Sequence, residues 1–386
     1  DVYKRQIVNS QKGVYAHMKL VCSKSNLLTG LQVVSKAVPN KTTMSILECI
    51  LIDSTSGEIK LTANDMELGI ETIIEGEILE KGIIALDAKI FLEIVRKLPD
   101  NDITITTDSN FKTAITCEKA KFNIIGKSGE DFSYLPMIER NESIIISQYT
   151  LKEVIRQTIF SISDNDNNKL MSGELFEING EEMRVISLDG HRISIRKIHL
   201  KNSYPAKKVV VPGKTLNEIS KILSGDADKD VTIFFTDKHI VFEFENTTVV
   251  SRLIEGEYFK IDQMLSSDYE TKVIIHKKEL LDCIDRATLL IKEGDKKPII
   301  INITDGSMEL KINSTVGSMD EEIDIEKMGK DLMIGFNPKF LIDALRVIDD
   351  ETITIYLVNP KAPCFIRDEE NNYIYLILPV NFTTVS

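Results

Sequence analysis

Over 187–197 the chain reads SLDGHRISIRK, placing an Asp, a Gly, a His and an Arg side by side between two β-branched runs. An Asp and a His this close suggest acid–base or nucleophilic chemistry, in which a carboxylate orients an imidazole. The orienting carboxylate of such a site normally arrives from elsewhere in the fold, so proximity in sequence does not make one. Asp-Gly between strand-like runs supplies instead the positive φ angles of a tight hairpin. His17, His199, His239 and His276 are scattered, and the chain has no HExxH, no GxSxG and no phosphate-cradling Gly-rich loop. Cys22, Cys49, Cys117, Cys283 and Cys364 include no CxxC pair, so neither a metal site nor a disulfide framework is indicated, and no cofactor is expected. Those thiols read as buried and reduced in a cytosolic protein.

The elements that position this stretch recur. LDAKIFLEIVRKLPDNDITIT (86–106), VPGKTLNEISKILSGDADKDVTIFF (211–235) and FNPKFLIDALRVIDDETITIY (336–356) share one pattern: strand, Lys, amphipathic helix, Asp-rich turn, alternating strand. Their lysines, Lys89, Lys214 and Lys339, are 125 residues apart in both intervals. A second amphipathic helix precedes each, over 23–38, 147–163 and 276–292. About eight strands and two helices per unit make an α+β fold, three tandem repeats with helices covering antiparallel sheet. The expected segments are 18–144, 145–268 and 269–386. Residues 1–17 lie outside the pattern, lack the apolar core of a signal peptide and read as an upstream appendage foreign to the natural chain. No apolar run is long enough to span a membrane, so no membrane partner is expected.

A formal charge of −13 argues at first against a nucleic-acid partner, but the sign is sorted by element. The six helical segments carry sixteen Lys or Arg against seven Asp or Glu, a balance of +9 that leaves −22 elsewhere. Lys41, Lys89, Arg96, Arg156 and Lys214 belong to this basic layer. Each alone would be explained by solvation of an exposed face; the sorting in all three units favours a polyanion held against the helices. With no Trp and no base-reading motif, sequence readout is not expected.

Outside the appendage the chain resembles the bacterial DNA polymerase III beta subunit family, the sliding clamps. The resemblance rests on MKLVCSKSNLLTGLQVVSKAVPNKTTMSIL, LTANDMELGIE, GEDFSYLP, GELFEINGEEMRVISLDGHRISI and YIYLILPV, in register over 18–382. It implies DNA-clamp domains, six of them closing a ring as a head-to-tail homodimer. It implies a non-catalytic processivity factor that encircles duplex or primed DNA without sequence preference, in the cytoplasm at the nucleoid. The implied protein partners are the replicative polymerase alpha subunit, the clamp loader delta subunit, repair polymerases and other proteins carrying a clamp-binding motif. DNA contacts would fall on Lys41, Lys89, Asn165, Lys169, Leu170 and Lys214. The subunit interface would pair Phe122 and Ile124 with Leu289 and Leu290, residues that otherwise read as ordinary core. A partner-peptide pocket would comprise Met171, Leu188, Gly190, His191, Arg192, Ile193, Phe259, Met264, Pro363, Leu376, Leu378, Pro379 and Val380. His191 and Arg192 would be its polar rim and Ile193 its floor. The chain departs from the family where Gly-x-Phe-Pro-Asp-Tyr becomes GEYFKI (256–261) and where Asn381 stands in place of Arg, which alters the pocket wall. The alternative from another class is a scaffold arc of the same repeats that does not encircle DNA.

Overall fold

A computed structural model describes residues 17–163, 168–292 and 297–382. The recurrent helices are Ala88–Lys97, Gly213–Ile222 and Pro338–Val347, and their starts keep the 125-residue interval. Lys89, Lys214 and Lys339 are each the second residue of their helix. Local chemistry sets these starts. Asp87 accepts from the Ile90 amide at 2.8 Å, and Asn337 accepts from the Lys339 amide at 3.0 Å, with Pro338 opening the helix. Lys24–Val34, Gln148–Thr158 and Lys277–Thr288 supply the second helix of each repeat.

The sheets run past the repeat boundaries. In one nine-stranded sheet, Leu68–Ile74 of the first repeat pairs antiparallel with Thr247–Arg252 of the second, in the register Gly69↔Val250. The Thr72 and Thr247 hydroxyls meet across that seam at 2.9 Å, buried. In a seven-stranded sheet, Arg192–Pro212 of the second repeat pairs with Tyr373–Ile377 of the third, in the register Ile193↔Leu376. The chain therefore packs as two compact units: residues to Gln148 with Lys221–Leu253, and Tyr149–Ser220 with Ile254–Ser386. That division follows the shared sheets, whereas division near 144 and 268 follows the repeats.

Each unit also holds a smaller sheet, of five strands in the first and four in the second. The third repeat shows how the helices close over it. Ile299–Thr304 alternates buried and half-buried residues, and Leu280, Ile284, Leu341 and Leu345 from its two helices bury against Ile301 and Phe336. At roughly 1.5–3 kcal/mol for each such side chain, this packing outweighs any single polar contact in the unit.

One buried residue of the second repeat works against its burial. Glu174, on the strand Gly173–Leu188, is fully buried, and neither carboxyl oxygen has a hydrogen-bond partner among the described residues. The neighbouring Thr158 hydroxyl already donates to the Val154 carbonyl at 2.7 Å. Burial pushes the Glu174 carboxyl up to about 8 from an ordinary 4.5. Because the folded value lies above the unfolded one, stability is lost as pH rises through that window. Glu174→Gln should leave the melting temperature nearly unchanged at pH 4 and raise it by a few degrees at pH 8.5. An equal effect at both pH values would show that ionisation of Glu174 is not the cause.

Candidate functional site

On the seven-stranded sheet, strand alternation and register bring one residue from each of five strands into line. Leu188 lies opposite Ile193, Ile193 opposite Leu376, Leu376 opposite Phe365, and Phe365 opposite Tyr356. All five belong to one buried apolar cluster. Two irregular segments cover it. Leu170 and Met171 come from the short turn Lys169–Ser172; Tyr258, Phe259, Ile261 and Leu265 come from the linker after residue 253. The structure thus brings Met171, Leu188, Ile193, Phe259 and Leu376 together as expected, and adds Tyr258, Ile261 and Phe365. Tyr258, Phe259 and Ile261 belong to the altered GEYFKI stretch, whose aromatic and apolar residues could have signalled them.

Met264 and Leu378 are the large apolar side chains of the expected set that remain exposed, at 46% and 37%. Leu378 is fixed beside the hairpin because its amide donates to the His191 carbonyl at 2.9 Å. Pro363 and Pro379 are half-buried. Val380 is turned elsewhere: its amide donates to Gly335, and its side chain lines a cleft of about 770 Å3 with His191, Pro338 and Phe340. Phe382 lies against Gly335, where a Cβ would come within 2.7 Å of its ring. Phe340 and Asn337, also on that cleft, stood in a segment that read only as the start of a repeat helix.

The hairpin between the strands is a turn, as Asp-Gly implied. Gly190 has φ +88°, and Asp189 Oδ1 accepts from the amides of His191 and Arg192 at 3.0 and 3.2 Å. The Asp189 carboxylate is thus engaged by backbone and by Arg192, while the exposed His191 ring stacks on Phe340, with centroids 6.1 Å apart. No acid–base pair is assembled there. Arg192 corrects the expectation of a polar rim, being only 6% exposed. Its Nε donates to Asp189 at 3.0 Å, its Nη1 to Asp343 at 2.7 Å and its Nη2 to the Phe160 carbonyl at 2.6 Å. The guanidinium lies 4.4 Å from the centre of the Phe340 ring. Strand alternation is the reason: Ile193 faces the apolar row, so Arg192 faces away from it.

The cationic residues divide. In the first unit Lys41, Lys89 and Arg96 are exposed, Lys89 and Arg96 share a face of one helix, and Arg96 pairs there with Glu93. In the second unit Lys169 and Lys214 are exposed. Arg156 is corrected, because Glu153 at 2.6 Å and Asp349 at 3.1 Å already balance its charge. Leu170 is corrected too, since its turn sends it inward against the apolar cluster and leaves Lys169 outside. Asn165 lies outside the described residues.

Phe122 and Ile124 sit on Ala120–Ile125, an edge strand of the five-stranded sheet. Phe122 is 41% exposed and the neighbouring Ile125 83%. Leu289, just past the helix Lys277–Thr288, is 81% exposed, whereas Leu290 packs against the third-repeat core. Among the described residues no group of His, Cys, Asp or Glu is arranged to hold a metal. Burial pushes the Cys22, Cys283 and Cys364 thiols up to about 12, so none of these is a thiolate near neutrality.

Tandem α+β repeats joined through shared sheets, with a buried apolar cluster at one junction, define a clamp-type scaffold. Models of the N-terminal, central and C-terminal domains of the DNA polymerase III beta subunit match residues 18–136, 145–260 and 262–381. The Beta sliding clamp of Staphylococcus aureus is 33% identical over 374 residues, 94% of this chain and 99% of the relative. A solved structure from Eubacterium rectale is 77% identical with a TM-score of 0.93, covering 95% of this chain and all of that one. The DNA polymerase sliding clamp from Bacillus subtilis is 33% identical with a TM-score of 0.92 at the same coverage. The chain belongs to the DNA polymerase III beta subunit family. It functions as a DNA sliding clamp, a processivity factor without catalytic activity of its own.

The hairpin offers a direct check on this geometry. Nothing lies within 4 Å of a Cβ added at Gly190, so Gly190→Ala would meet no clash and only the left-handed backbone penalty. It should destabilise by about 1 kcal/mol, and Gly190→Asn by less. Equal, larger losses for both in denaturant unfolding would contradict an open left-handed turn.

Proposed function

We propose that two copies of this chain close head to tail into a ring around duplex DNA and carry partner proteins on the apolar groove. The observation that carries the ring is a pair of sheet edges with opposite charge. Ala120–Ile125 ends the five-stranded sheet, flanks Phe122 and Ile125 with Lys119 and Lys121, and leaves its outer backbone groups unpaired by the sheet. Ser318–Asp324 ends the four-stranded sheet and carries Asp320, Glu321, Glu322 and Asp324. Long exposed edges invite pairing with another chain. A chain with one edge of each kind forms head-to-tail contacts that close when the rotation permits. Phe122 and Ile124 would then meet Leu289 of the partner copy, with Leu290 backing it.

Lys41, Lys89, Lys169, Lys214 and Arg96 would hold phosphates weakly and without sequence preference, which is compatible with sliding. The groove would take short apolar peptides of the replicative polymerase alpha subunit, the clamp loader delta subunit and repair polymerases. Each Leu or Phe buried there contributes roughly 2–3 kcal/mol, so two anchors support micromolar affinity after association costs. Tethering then raises the polymerase's effective concentration at the primer end. On this reading the protein would act on the nucleoid in the cytoplasm.

Retention on nicked circular DNA, lost when the circle is linearised, is the expected behaviour. Equal loss from both forms would rule out encirclement and favour an open scaffold. By light scattering, Phe122→Asp combined with Leu289→Asp should reduce the protein to its 43.6 kDa monomer. A dimer that survives both changes would place the interface elsewhere.

A further inference from the structure

Behind the groove's rim, beside the third-repeat core against which Phe160 and Phe340 pack, the structure is open. A cleft of about 680 Å3 lies there, lined by Phe160, Asp189, His191, Arg192, Phe340 and Asp343 among others. Gly190 has no neighbour within 4 Å of its notional Cβ, so the tip of the hairpin is not held by packing either. What spans the cleft is the Arg192 guanidinium. It reaches back to Asp189 in its own turn and across to Asp343, on the helix Pro338–Val347 of the third repeat. Phe340, one turn before Asp343, carries both the guanidinium and the His191 ring on its surface.

We propose that Arg192 is a positioning residue for the groove: acting through Asp189, Asp343 and Phe340, it sets the place of the His191 rim without touching the docked peptide. This rests on the reading of the groove as a peptide site. Three observations support it. Ile193 faces the apolar row, so Arg192 faces the other side of the sheet, as does Ser194, whose hydroxyl meets Ser161 at 2.5 Å. Three guanidinium nitrogens are each committed to a protein oxygen, and the residue is 6% exposed, leaving little for a guest to contact. Two carboxylates face one guanidinium, so the contact is charge-assisted and directional, which suits holding a position.

The test uses the full chain and a fluorescein-labelled short peptide with two apolar anchors, read by anisotropy beside a thermal melt. Asp343→Asn leaves Arg192 in place and lies outside the apolar row; it should weaken the peptide about tenfold while the melting temperature moves little. Arg192→Lys should weaken binding similarly, because an ammonium cannot reproduce the forked contacts. The double variant Arg192→Met with Asp343→Leu replaces the buried pair with apolar volume; it should retain the melt but not regain affinity. Undiminished affinity in Asp343→Asn, with Arg192→Met weakened, would mean that Arg192 contacts the guest directly and would overturn the proposal. Full affinity in the double variant would overturn it as well. Absence of binding to the unaltered protein would instead overturn the peptide-site reading on which the proposal rests.

Discussion

The structure depends on one kind of contact: the backbone ladder by which each repeat gives a strand to the next. Leu68–Ile74 with Thr247–Arg252, and Arg192–Pro212 with Tyr373–Ile377, join neighbouring repeats through the two larger of four sheets. A ladder constrains more than apolar packing does, because a slip of one residue would exchange the two faces of a strand. With Ile193 opposite Leu376, the apolar row is continuous across the seam between the second and third repeats. With Arg192 opposite Ile377, the charged side chain is directed to the helix side of the same sheet. Groove and support are thus two faces of one register.

On the proposed reading, that arrangement would let one junction serve as a docking surface while remaining part of the core. The row itself is buried, and the linker residues Tyr258 and Ile261 cover much of it. What remains open lies at the margin, at Met264, Leu378 and His191. A guest therefore needs only a few anchors, and the energetic weight falls on apolar contact at the margin rather than on charge. The buried ion pair beneath adds direction more than stability, since desolvating two charges offsets much of their attraction.

The parts legible in the sequence were those with a period. The 125-residue interval, the amphipathic helices and the alternating strands gave the repeats, and Asp189-Gly190 gave the turn. The parts that were not legible depend on partners far away in the chain. Arg156 looked like a free cation until Asp349 met it, and Arg192 looked like a rim until Asp343 did. Leu170 sits one residue after an exposed lysine and still turns inward, because a single short turn separates their directions. Neither the charge sorting that singled out Arg156 nor the resemblance that singled out Arg192 and Leu170 carries information on which way a side chain points.

The three repeat lysines carry an argument that neither resemblance nor packing supplies. Lys89, Lys214 and Lys339 each occupy the second residue of a helix, beside the positive end of its dipole. A cation there is disfavoured by about 0.3–1 kcal/mol, whereas Arg96, Lys221 and Arg346 stand in the last turns of the same helices, where a cation is favoured. Asp87 offsets the cost at the first helix through its capping carboxylate, but neutral Asn337 does not at the third. A fold selected for stability alone would place its lysines elsewhere. A phosphate beside the helix start reverses the sign, since amide, dipole and lysine all attract it. A lysine repeated at the second residue of a helix in all three units is therefore what a surface built for a polyanion should show.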